Sequence, residues 1–457
     1  MKSSDNNQSE KIKIFCFLDN SLGRDTEIVL PVCYALEKYH NCEISFFFLW
    51  DIYEIRKQVP DMVLLPNTRG HHMYVEIAEC AYKNDIKVLA LESEGNFKTD
   101  GSFDYWGYNF QKKVYQEWVT CWSERTKQYL QEIFKSDKNK VVVTGGTGFD
   151  KYQILENVDR KTLLAKYNKE NFKKVIGYAG WAFGKLYGAH KSISFKLIYP
   201  DDKQKKYDWV ENHRIFVRDI LKSAIENNPD ILFILKRHPK ESFESDVKEG
   251  LNEMNELIHY ENVLYLCKEE DVKDLINISD IWMGFKTTTA LEAWILGKPT
   301  ILINDGHKYS ADNLFEGSAL ADKPLTLQHY IEEYYTTHQI KEFDKLEKKD
   351  ARNIIIQDSI GFSDGLNHMR ATQYFAKSLT KRKANYKPKL SLRHLRLYYL
   401  MHFGKFFYNK NLFKMLPFFK KTIYVFENRN LPNFYSFKEK YYESLEKFHS
   451  EKNVNQS

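Results

Sequence analysis

At 457 residues, 43% hydrophobic and 28% charged, the chain is long enough for two packed cores and too apolar for a disordered polypeptide. A net charge of +6 is too small a bias for a nucleic-acid surface, so nucleic acid is not an expected partner. No apolar run nears the roughly 20 residues of a membrane span; the richest, 44–50, is strand-sized.

Residues 1–10 are polar without an apolar core, so no secretory signal is expected. Cys16, Cys33, Cys42, Cys80, Cys121 and Cys267 lack metal-ligand spacing and read as reduced thiols of a cytoplasmic protein. In chain order, 11–19 (KIKIFCFLD) predicts a strand and 20–24 a turn, with Asp25 or Thr26 capping a helix over 27–39. Strands follow at 43–50 and 61–66, a helix at 74–84, and a strand at 86–91 that ends in Glu92-Ser93-Glu94-Gly95. An apolar run lies in 115–123, a helix reaches Phe134, and a strand at 140–144 ends in Gly145-Gly146-Thr147-Gly148.

Polar 150–174 connects to a second run of the same pattern. Strand 174–179 precedes a loop with Gly180, Gly184 and Gly188; then come helix 207–227, strand 231–235, strand 263–266 and helix 272–278. Residues 280–304 (DIWMGFKTTTALEAWILGKPTILIN) read strand, loop, helix, strand. Strands alternating with helices predict parallel, doubly wound sheets. Residues 384–448 differ, interleaving Leu, Phe and Tyr with Lys, Arg and His near helical spacing. They read either as an interfacial helix on an anionic membrane face or as a helical subdomain packing its aromatics on the second domain. The expected domains are 11–165, 172–380 and 384–457.

Ligands of open α/β sheets bind beyond the carboxyl ends of strands, and the chemistry-bearing residues cluster there. Thr287, Thr288 and Thr289 stand where a helix begins, either as phosphate donors or as an N-cap. Lys236-Arg237-His238-Pro239 ends an apolar strand. Arg and His bind phosphate, and His also protonates a leaving oxygen; the plainer reading is a basic surface turn. Glu292 would hold a ribose or compensate a helix dipole. Glu94 sits in an acidic turn where a carboxylate can take a proton from a hydroxyl nucleophile, or simply be solvated. Arg24 and Asp25 would touch an acceptor, unless Asp25 caps. His71-His72 is a poor metal pair. Gly145–Gly148 lacks the dinucleotide order, and neither a Walker lysine nor a G-x-S-x-G is present.

The order Glu92–Gly95, His238-Pro239, Thr287–Thr289 resembles the acid/acid/Gly, HP and Ser/Thr motifs of bacterial inverting sialyltransferases and polysialyltransferases. Across 11–375 the chain is similar to bacterial surface carbohydrate biosynthesis proteins, relatives of Kdo transferases and CDP-glycerol glycerophosphotransferases. There Arg24-Asp25, Glu94-Gly95 and the Gly145–Asp150 turn fall in place. Gly146-Thr147 stands where that family often has Asn-Pro, and Thr replaces its usual Ser. The resemblance implies a GT-B fold, two Rossmann-like domains facing a cleft with a basic aromatic helical extension. It implies Glu94 as base, with Glu92, Arg24 and Asp25 toward the acceptor. It implies His238 as phosphate ligand or acid, and Gly180, Lys236, Arg237, Pro239, Thr287, Thr288, Thr289 and Glu292 around the nucleotide.

The expected activity is metal-independent, inverting transfer of a sugar from a nucleotide donor, CMP-linked sialic-acid-like sugar or Kdo, to a surface glycan or glycolipid of capsule or lipopolysaccharide. No cofactor is expected beyond that donor. CDP-polyol phosphotransfer, UDP-sugar 2-epimerisation and a non-catalytic assembly protein are the alternatives. The expected place is cytoplasmic, peripheral on the inner membrane face through 384–457.

Overall fold

Strands that are apolar on both faces can only be buried by helices on both sides, and parallel sheets provide this. The computed structural model describes residues 10–69, 71–96, 113–183, 203–238, 252–307, 312–410, 412 and 425–452. It divides into one unit of Met1–Leu155 with Asp358–Ser457 and another of Glu156–Gln357.

In the first unit, β1 (Ile12–Leu18), β2 (Cys42–Phe48), β3 (Met62–Leu65) and β4 (Lys87–Ala90) form a parallel sheet ordered β2-β1-β3-β4. β5 (Val119–Cys121) and β6 (Val141–Val143) form a parallel pair. The helix after β1 begins at Arg24, three residues earlier than the pattern suggests. Gly23, with φ of 105°, occupies the cap position, where no side-chain cap bond forms. Asp25 does not cap because its carboxylate accepts from the Tyr74 hydroxyl at 2.7 Å. After β2 the chain turns at Leu49 into a 3-10 helix, Leu49–Tyr53, instead of extending through Trp50.

In the second unit, β7 (Lys174–Ala179), β8 (Ile231–Lys236), β9 (Val263–Leu266), β10 (Ile281–Gly284), β11 (Thr300–Ile303) and β12 (Ala319–Ala321) form one parallel sheet ordered β12-β11-β10-β7-β8-β9. β12 is only Ala-Leu-Ala, too short and too poor in β-formers to stand out in the sequence.

The last hundred residues correct the expected domain plan. They belong to the first unit, not to a second domain running to 380. The reading that packs the tail's aromatics on the second domain is therefore replaced. The reason is local. Asp150, in the Gly145–Asp150 turn, is fully buried and accepts from the backbone N–H of Asn367 (3.1 Å) and His368 (2.8 Å). Ala371 and Phe375 of helix Asn367–Ala376 then enter the first core. So do Phe434, Tyr441 and Leu445, spaced by helical turns along Leu431–Glu451. Cys16, Cys33, Cys42, Cys80 and Cys121 are buried free thiols.

Candidate active site

From β7 the second sheet adds β8 and β9 on one side, and the chain then crosses to β10 on the other. The crevice beyond the carboxyl ends of β7 and β10 is thus the switch point where such a sheet takes ligands. It is walled by rings. Trp181 and Phe183 follow β7, Phe285 follows β10, and the helix Lys203–Asn227 adds Trp209 and His213. Ring centroids lie 4.1 Å apart for His213 and Phe285, 5.2 Å for Trp181 and Phe285, and 5.5 Å for Trp209 and His213.

His213 is fully buried, with Nδ1 2.8 Å from Asp305 Oδ2. A carboxylate only accepts, so Nδ1 carries the proton. Burial lowers the ring's pKa against the pull of Asp305, and the ring is neutral at pH 7. Nε2 is then a buried acceptor with no hydrogen-bond partner among the described residues. Glu253 is also fully buried. Its Oε1 accepts from Tyr178 Oη (2.8 Å) and the Trp181 N–H (3.2 Å), its Oε2 has no hydrogen-bond partner among the described residues, and burial pushes the carboxyl up to about 7. Lys286 holds a φ of 42°, a left-handed conformation strained for a side-chain-bearing residue; its Nζ lies 5.8 Å from the Trp209 ring centre.

The residues singled out in the sequence divide. Thr289 Oγ1 accepts from Trp282 Nε1 (2.9 Å) and lies 3.0 Å from Thr287 Oγ1, which accepts from the Thr289 N–H (3.3 Å). These two hydroxyls close the turn against Gly284, where a Cβ would meet Thr287 Cγ2 at 2.4 Å. Thr288 is exposed and makes no cap bond, so it is the hydroxyl left for a ligand. The helix behind it, Thr289–Ile295, has seven residues and contributes little dipole; Glu292 is half-buried in its first turn.

Lys236 and Arg237 are turned to neighbouring chain. Lys236 Nζ donates to the Glu270 carbonyl (2.7 Å), and burial lowers its pKa; buried Arg237 places Nη1 3.3 Å from Tyr265 Oη. His238 is half-buried, and Pro239 lies outside the described residues. β7 separates β8 from β10, so the strand ends before His238 and Thr287 stand two strand spacings apart, about 10 Å, not on adjacent strands. Gly180 is a close-packing residue. Its N–H donates to the Lys236 carbonyl, and a Cβ there would approach Met254 Cε to 2.7 Å and Glu253 Oε1 to 3.1 Å.

The first sheet switches between β1 and β3. The acidic turn after β4 splits its two carboxylates. Glu92 faces inward and pairs with Arg69, both almost completely buried, which removes it from acceptor binding. Glu94 faces outward and pairs with Arg24 at 2.5 Å. Gly95 is required because Trp122 packs flat on the turn: a Cβ would lie 2.4 Å from its ring, and Nε1 donates to the Glu92 carbonyl. Asp25 is half-buried beside them. Burial pushes its carboxyl up to about 6, Tyr74's hydrogen bond opposes this, and Asp19 and Glu94 add to it.

Trp181, Phe285, Lys286 and Asp305 sit within two residues of a strand end, a signal that position alone offered. His213 and Glu253 come from a helix face and a distant loop and carry no such signal. Among the described residues no three His, Cys, Asp or Glu side chains converge as metal ligands.

No family model matches the chain, and no curated protein matches it in sequence. Solved structures match in fold. A UDP-N-acetylglucosamine 2-epimerase is similar at a TM-score of 0.51 and 13% identity, over 84% of this chain and 100% of that one. S. aureus MnaA, in its UDP co-structure, is similar at 0.50 and 14% identity, over 82% and 99%. The fold is GT-B-type α/β: two Rossmann-like units, each with a parallel sheet, and a C-terminal helical extension.

Proposed function

We propose that the chain is a glycosyltransferase that moves a sugar from a nucleotide donor to a surface glycan or glycolipid, with inversion and without a metal. One observation carries this reading: costly features concentrate at the switch point of the second sheet. A strained Lys286, a buried unsatisfied His213 Nε2 and a half-satisfied buried Glu253 each cost about 1–3 kcal/mol. Folding alone favours none of them, and they coincide with the place topology reserves for a ligand.

In this reading the base of the nucleotide stacks on the Trp181, Phe285 and Trp209 wall. Lys286 supplies positive charge to the phosphate, Thr288 and His238 donate hydrogen bonds to it, and Glu292 takes the ribose. On the acceptor side Asp25 removes the proton. Its carboxyl is held near 6, poised as a base at neutral pH, while Glu94, tied to Arg24, orients the acceptor. The acceptor oxygen attacks the anomeric carbon as its proton passes to Asp25. The bond to the nucleotide phosphate breaks on the opposite face, and the nucleotide leaves with the electron pair. The motif order of Glu94, His238 and Thr287–Thr289 favours a CMP-linked sialic-acid-like sugar or Kdo as donor.

The fold likeness to 2-epimerases supports UDP-sugar epimerisation as the second reading. A thermal-shift series with CMP, CDP, UDP and GDP separates them, since a ligand of the native state raises Tm. Stabilisation by CMP alone is expected. Stabilisation by UDP alone would move the assignment to the epimerase, by CDP alone to polyol phosphotransfer, and by none to a non-catalytic role.

A further inference from the structure

The acceptor unit carries a groove that sugar and nucleotide chemistry leave unused. It encloses about 600 Å³ along the carboxyl edge of the first sheet. Trp50 and Leu397 line it with Leu400, and Arg393, Arg396 and Arg429 stand around it; no acid lines it among the described residues. Arg393 pairs with Glu76 and Arg429 with Asp19, whereas Arg396 is exposed and has no ion pair among the described residues.

The groove leads to the proposed base. His71, in its wall, has its ring centre 6.0 Å from that of Tyr74, whose hydroxyl donates to Asp25.

The helix that forms one wall, Leu392–Asn409, contains no Asp or Glu. Its inner face seats Tyr398 against Glu54 (2.7 Å). Its outer face repeats Leu392, Arg396, Tyr399, Phe403 and Phe406 at intervals of three or four residues. Each of these four apolar side chains is more than half exposed, as is Leu400 at the groove mouth. An apolar stripe with interspersed cations is unstable in water and matched by the surface of an anionic bilayer. No helix among the described residues is long and apolar enough to cross a membrane.

We infer that the groove binds the lipid-phosphate end of the acceptor, with a hydrocarbon chain along Trp50, Leu397 and Leu400 and the phosphate at Arg396 and Arg393, while the outer stripe rests on the bilayer. Lipid binding rests on the groove and the stripe; its role as acceptor rests on the transfer reaction proposed above. A soluble anion would leave the apolar wall and the stripe in water, and a neutral lipid would leave Arg396 without a counter-charge. Lipid phosphate satisfies both.

The test uses the full chain. It is sedimented with phosphatidylglycerol vesicles and with phosphatidylcholine vesicles, and melted with dodecyl phosphate or with inorganic phosphate. At least tenfold preference for phosphatidylglycerol is expected, with a Tm rise from dodecyl phosphate alone. Arg396→Glu should lower vesicle binding at least fivefold and abolish the dodecyl phosphate shift, and Phe403→Glu should lower vesicle binding alone. Both positions are exposed, so the fold should persist, as an unchanged Tm would report. Equal binding to both vesicles, an equal shift from inorganic phosphate, or full binding by Arg396→Glu would overturn the inference. Nucleotide shifts measured on the same variants keep the two readings apart. Their loss in the wild type would remove the donor reading and leave the lipid site standing.

Discussion

His449 Nε2 lies 2.9 Å from His368 Nε2, inside a buried chain that runs from Asp150 through both rings to Tyr39. Asp150 accepts from His368 Nδ1, one hydrogen bond joins the two Nε2 atoms, and His449 Nδ1 lies 2.9 Å from the Tyr39 hydroxyl. A further proton on His449 breaks that order. Burial, helped by His368 and Lys38 and opposed by Glu446, lowers its pKa to about 4. The unfolded chain therefore binds the proton more readily between pH 6.5 and 4, and stability falls as pH falls through that window. With His449 nearly fully buried, the loss should reach roughly 3 kcal/mol. Urea midpoints at pH 7 and pH 4.5 would measure it. His449→Gln should be less stable at pH 7 and should flatten the slope; an unchanged slope would place the acid-sensitive group elsewhere.

Asp25 and Glu94 should separate by substitution. Asp25→Asn is expected to lower transfer at least ~100-fold, the lower end of general-base contributions. It should also raise stability at pH 7. A carboxyl raised to about 6 favours its neutral form in the fold, so its stabilising contribution is present below about 4 and disappears as pH rises through 6. Asn keeps the neutral form at all pH, worth about 1–2 kcal/mol at pH 7 once solvent screening is allowed for. Glu94→Gln should retain more than a tenth of the activity. The reverse ranking would return the base role to Glu94.

Lys286→Gly removes the strain of a left-handed side-chain-bearing residue and should stabilise the chain by about 1 kcal/mol. The same change should abolish the Tm rise given by the nucleotide. A variant that melts higher and still responds fully would show that the ammonium has no part in phosphate binding.

Glu92→Gln probes structure, not acceptor binding. It leaves Arg69 buried without its counter-charge, at a cost of about 3–5 kcal/mol. Loss of the folded state in circular dichroism is the expected result. A folded variant with weakened acceptor affinity would restore Glu92 to the acceptor site.

The strand ends were legible because parallel strands must be apolar throughout, and the residue after such a run stands out. Thr287–Thr289 and Glu92–Gly95 were visible for that reason. Which member of each motif faces outward was not visible. Thr287 and Thr289 share one turn, leaving Thr288 outward, and Glu92 and Glu94 point opposite ways across Trp122. Lys236 and Arg237 carried charges suited to phosphate, yet neighbouring chain holds both.

Sequence by itself determined the class of the fold, because periodic burial is written in composition along each strand and helix. It also determined which strand ends carry charged and hydroxyl side chains. The tertiary structure alone decided that Asp358–Ser457 completes the first unit, since a helix's apolar stripe states that it must be buried but not against what. It alone brought His213, Asp305 and Phe285 together, and it alone set a basic, apolar groove beside Tyr74 and Asp25. Contacts between residues far apart along the chain depend on strand order and helix docking, and no local pattern of residues encodes either.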